Sequence, residues 1–87
     1  MNTKNKKILK KIFEVPTRSD IEWREVETLL RSLGADISEG RGSRVRIALY
    51  KVRAVFHRSH PKKESDKGTI SSLKRFLIEA GVHDVDI

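Results

Sequence analysis

Apolar residues recur along the chain with two different periods, and the change of period divides it into elements. Between Asn5 and Phe13, Ile8, Leu9, Ile12 and Phe13 fall at helical spacing, which predicts a short amphipathic helix over about residues 4–14. Val15-Pro16-Thr17-Arg18 breaks it. Trp23, Val26, Leu29, Leu30 and Leu33 then mark one face of a second helix that stops at Gly34. Ser19, three residues before Glu22, predicts a capping box at its start. Residues 35–39 are a short candidate strand. After the turn Gly40-Arg41-Gly42-Ser43 the period drops to two: Val45, Ile47 and Leu49 alternate with Arg44, Arg46 and Ala48. A reversal at Lys51 leads to a second alternating run, with Val52, Ala54 and Phe56 on one side and Arg53, Val55 and His57 on the other. Residues 58–67 are a polar loop. Ile70, Leu73, Phe76, Leu77 and Ala80 then predict a last helix over about Gly68–Ala80, closed by Gly81.

Helix, helix, two or three antiparallel strands, helix is the order of an α+β fold, because the loops are too short for parallel crossovers. The expectation is a small antiparallel three-stranded sheet with helices packed on one face and an extra N-terminal helix. The other sheet face is left to solvent. With 87 residues the chain is expected to be a single domain over 1–87, with its core over about 19–82. A chain of this size cannot enclose a large cofactor, so none is expected.

Charge changes the picture. The net charge is +7, and the window from Gly40 to Lys63 carries Arg41, Arg44, Arg46, Lys51, Arg53, Arg58, Lys62 and Lys63 with no carboxylate. A sheet face so basic favours a polyanion, and RNA above all, which is read through backbone, 2′-hydroxyls and splayed bases. There are no cysteines, which excludes disulfides and thiolate chemistry and fits a cytoplasmic protein. No apolar run exceeds the four residues Ile47–Tyr50, and the N-terminus lacks the apolar core of a signal peptide, so no membrane partner is expected.

Three motifs could carry chemistry. Gly40-x-Gly42-Ser43 lacks the lysine and following helix of a phosphate-binding loop and reads as a hairpin turn whose amides can still touch phosphate. His57-x-x-His60 offers two ligands where a catalytic zinc takes three from the protein, so no metal is expected. Metal-free RNA cleavage fits better. It needs a base for the 2′-hydroxyl, an acid for the leaving 5′-oxygen and a cation for the phosphorane. Histidine titrates in the right range and arginine matches phosphate oxygens. The candidate catalytic residues are His57, His60 and Arg44, with Arg41, Ser43, Arg46, Arg53, Arg58, Lys62 and Lys63 as RNA contacts. If the hairpin closes at Lys51, residues 44–46 lie across from 56–58. A non-catalytic RNA-binding module using the same face is the alternative.

From Trp23 to Val82 the chain resembles the HicA family, the small RNA-cleaving toxins of bacterial HicA–HicB toxin–antitoxin pairs. The resemblance lies in a helix ending Leu33-Gly34, the Gly42-Ser43 turn entering a strand, a His60-Pro61 segment, and a helix entered through Lys67-Gly68-Thr69 and ending Ala80-Gly81-Val82. It implies a double-stranded-RNA-binding-like fold, mRNA binding and cleavage, and neutralisation by a HicB-like antitoxin. It departs at Arg44, since family members usually carry a catalytic histidine just after the Gly-Ser turn.

Overall fold

The computed structural model describes residues 3–42, 44–57 and 65–82. Three helices and three strands follow in the order α1 (Thr3–Phe13), α2 (Trp23–Ser32), β1 (Asp36–Glu39), β2 (Arg44–Leu49), β3 (Val52–His57) and α3 (Lys67–Glu79). The strands form one antiparallel sheet in the order β1-β2-β3. This is the expected α+β architecture. Among the described residues no helix is long and apolar enough to cross a membrane.

The period-two run of β2 buries Val45, Ile47 and Leu49 completely and turns Arg44 and Arg46 outward. From β3, Phe56 joins them on the inner side. The helices cover that side: α1 contributes Ile8, Leu9 and Ile12, α2 Trp23, Val26, Leu29 and Leu30, and α3 Ile70, Leu73, Phe76 and Leu77, all in one cluster with the strand residues. Phe56 sits between aromatics of two helices, 6.2 Å from Trp23 and 5.7 Å from Phe76 in an edge-on contact. Such pairs add about 0.5–1.5 kcal/mol each beyond the area they bury. They pin the end of β3, and so fix the outward direction of the next residue, His57.

Helix α2 starts later than the Ser19–Glu22 pairing predicts. Its N-cap is Glu22, which forms a capping box with Glu25; the Glu22 N–H donates to Glu25 Oε1 at 3.2 Å. The reason lies one residue earlier. Ile21 is buried, and its carbonyl accepts from the Ser65 N–H at 2.7 Å, which holds the chain extended there. Helix α3 begins with Asp66, whose side chain accepts from the Thr69 N–H at 2.7 Å. Both α2 and α3 end in a Schellman motif. Gly34 and Gly81 lie at φ 93 and 89, and the N–H groups of Ala35 and Val82 reach back to the carbonyls of Leu30 and Leu77.

The β2–β3 hairpin closes through two residues, Tyr50 and Lys51, rather than at Lys51 alone. Leu49 pairs with Val52, and the register runs Arg44 with His57, Val45 with Phe56 and Arg46 with Val55. Residues 44–46 therefore face 55–57, one residue earlier than expected. Tyr50 takes φ 55, since a two-residue hairpin must twist with its strands and requires positive φ at its first position.

Candidate functional site

The outer sheet face is a grid set by register. Directly opposite residues share a face, so its three rows are Arg44 with His57, then Ser38, Arg46 and Val55, then Asp36, Ala48 and Arg53. Arg44, Arg46, Arg53 and His57 are all exposed. None of the four arginines on this face and its loop (Arg41, Arg44, Arg46, Arg53) enters an ion pair among the described residues. The ion pairs found there join Arg18, Arg24 and Arg31 to carboxylates of the helical layer. Charges at the sheet are thus left available to an external anion.

Arg44 and His57 meet as a directly opposed pair at the open end of β2 and β3. The period-two patterns of both strands produce this juxtaposition: Val45 and Phe56 must turn inward together, so their neighbours Arg44 and His57 turn outward together. Arg46 lies two residues further along. Gly40 packs beside both arginines at ordinary contact distance. A side chain there would meet Arg44 Cβ at 3.4 Å and Arg46 Nε at 3.8 Å. Its N–H donates to the Arg44 carbonyl at 2.9 Å, which fixes where β2 begins.

Of the other residues read as contacts, Arg41 is exposed in the β1–β2 loop, beside this end of the sheet. Arg53 belongs to the same face but sits four residues from His57 along β3, about 13 Å at strand spacing. Ser43, Arg58, His60, Lys62 and Lys63 lie outside the described residues. Among the described residues no three His, Cys, Asp or Glu side chains gather as a metal site requires.

Sequence reasoning passed over the middle of the face. A hollow of about 400 Å³ lies there, lined by Asp36, Ser38, Arg46, Ala48, Arg53 and Val55 together with Ile47 and Ala54. Its floor is Ala48, the one small residue in the outward series of β2. The signal was present in the alternation, but the pairing of β1 was needed to see Asp36 beside it.

The family model described as "HicA toxin of bacterial toxin-antitoxin" matches residues 23–82. The chain belongs to the HicA toxin family. It is therefore a toxin of a bacterial toxin–antitoxin pair, and an antitoxin is its partner. The HicA match takes in α2, the whole sheet and α3, and so includes every residue of the basic face. Helix α1 lies outside it. No curated protein and no solved structure matches the chain.

Proposed function

We propose that this HicA toxin is a metal-independent endoribonuclease that binds and cleaves mRNA in the cytoplasm, and that a HicB-like antitoxin neutralises it. The observation that carries the reading is the opposed pair Arg44–His57 on an exposed basic face, with Arg46 beside it and no carboxylate in an ion pair with either arginine among the described residues. Arginine holds the scissile phosphate and stabilises the charge that develops on it. An imidazole beside that phosphate takes the proton from the 2′-hydroxyl as O2′ attacks phosphorus. The P–O5′ bond then breaks, and a second group returns a proton to the leaving O5′. His57 and His60 are the candidates for the two tasks. The 5′ fragment is left with a 2′,3′-cyclic phosphate at its 3′ end, and the 3′ fragment with a free 5′-hydroxyl.

The family resemblance implies a catalytic histidine just after the Gly-Ser turn, where this chain has Arg44, and that favours as second reading an RNA-binding module that does not cut. RNA cleavage by purified wild type, His57→Ala, His60→Ala and the double variant, with EDTA throughout, separates the two. A general acid or base contributes about 10²–10⁴-fold, so each single variant is expected to lose at least about a hundredfold in rate with RNA affinity nearly intact. A double variant as fast as wild type sinks acid–base catalysis by these histidines. A wild type that binds RNA and never cuts it leaves the binding module.

A further inference from the structure

We infer that the hollow over Ala48 is a base-reading site that seats one unstacked guanine of single-stranded RNA. The inference rests on the RNA-binding reading above and adds to it a specificity determinant.

Three properties of the hollow point to a base. Its floor is apolar, formed by the Ala48 methyl with Val55 beside it, and Val55 is 56% exposed although its side chain is wholly hydrocarbon. A phosphate would gain nothing from such a floor, whereas the face of a base would. Its volume of about 400 Å³ falls within the range of small-ligand pockets, about 300–1,000 Å³. Its walls include two guanidinium groups, Arg46 and Arg53, and a guanidinium plane both stacks on bases and grips the phosphates on either side.

Charge placement selects among the bases. Asp36 pairs with Ala48 on one side and Arg53 pairs with it on the other. An acceptor and a donor thus straddle the floor two strand spacings apart, about 10 Å. Neither group enters an ion pair among the described residues. Guanine complements this arrangement. Its N1–H and N2–H2 offer two parallel donors to a carboxylate, and its O6 and N7 offer two acceptors to a guanidinium. Uracil has a single N3–H between two carbonyls, and both carbonyls would be set against Asp36. Adenine and cytosine bring one amino group each.

The hollow adjoins the proposed cleavage centre, sharing Arg46 with it, but its middle lies further along β2. Ala48 lies four residues from Arg44 along β2, about 13 Å at strand spacing, so the guanine bound there would be a neighbour of the scissile linkage and not part of it.

The test measures binding of the full-length protein to four tetranucleotides, UUGU, UUAU, UUCU and UUUU, with 2′-fluoro sugars that cannot be cut through the 2′-hydroxyl. Wild type is expected to prefer UUGU over UUUU by about fivefold or more, the lower end of discrimination by a bidentate base contact. Ala48→Leu, which fills the hollow from an outward-facing position, is expected to bring the four within about twofold while binding stays salt-dependent. Asp36→Asn leaves the hollow open and removes the double acceptor, so it is expected to lose the guanine preference even if Ala48→Leu perturbs the sheet. Salt-dependent binding of all four with equal affinity in wild type overturns the base site and leaves the RNA reading standing. Unchanged preference in both variants does the same. If Ala48→Leu spares RNA but weakens the antitoxin complex, the hollow belongs to the protein partner and the inference fails. If no oligonucleotide binds at all, the RNA reading falls with it.

Discussion

Arg18 joins the end of α1 to the approach to α2. Its guanidinium donates to Asp20 at 2.6 and 2.8 Å and to Glu14 at 3.0 Å. These bonds favour the charged form of Asp20, whose pKa falls from 3.8 to about 2, and they raise that of Arg18. A carboxyl whose folded pKa lies below its unfolded one stabilises the fold above the unfolded value. That contribution fades as pH falls through the folded value. The window here is pH 3.8 down to about 2. Wild type is expected to melt slightly above Asp20→Asn at neutral pH, and thermal unfolding followed down to about pH 2 should show the two converge. The pair is solvent-exposed, so added salt should narrow the gap as well. A gap that persists unchanged into acid means that Asp20 acts through something other than its charge. Residue-scale legibility was uneven. Arg44 and His57 could be placed on one face by alternation alone. The reversal at Tyr50 was hidden because neither Gly nor Asn marks the position that needs positive φ; tertiary pairing of the strands imposes it on a tyrosine.

Elements were easier to read than their ends, because a buried stripe is long and redundant while a boundary depends on one or two contacts. The start of α2 depends on where Ile21 is held by Ser65, a contact between segments more than forty residues apart that no local window contains. Helix α1 poses a different question. It stands outside the family match and outside the core that the sequence predicts over about 19–82, yet Ile8, Leu9 and Ile12 are 1–3% exposed and belong to the same cluster as the sheet. Lys74 of α3 also lies 5.9 Å from the Phe13 ring. Truncating a fully buried leucine costs about 2–5 kcal/mol, a large share of the about 5–15 kcal/mol that stabilises a small domain. Leu9→Ala is therefore expected to lower the urea midpoint steeply with little change in m-value, whereas Lys10→Ala on the exposed side should shift stability by no more than about 0.5 kcal/mol. Equal midpoints for Leu9→Ala and wild type would mean that α1 is not part of the folded core.

For the molecule as a whole, the decisive property is where its ion pairs fall. Carboxylates near the helices find arginine partners in Glu14, Asp20, Glu22 and Glu27, while the arginines of the sheet enter no ion pair among the described residues. The net charge of +7 is not confined to the sheet, since α1 alone carries five lysines, but the sheet arginines stand together on one exposed face. If that side grips RNA phosphates, log affinity for single strands falls linearly with log salt, by about 0.7 per phosphate neutralised. Three to six contacts, the number such a face can make, give a slope between about −2 and −4. Removing two contacts with Arg44→Ala and Arg46→Ala should flatten it by about 1.4 as well as weaken binding. The same variants test how the antitoxin works. A partner that neutralises by occlusion must bring carboxylates to the face the RNA uses, so reversing charge at Arg44 and Arg46 to Glu should weaken both complexes together. Titration of one protein preparation against RNA and against antitoxin, over the same salt series, makes the comparison direct. RNA affinity that is flat in salt removes the phosphate face altogether. Loss of RNA binding with antitoxin affinity unchanged separates the two surfaces and requires the antitoxin to act from elsewhere on the molecule.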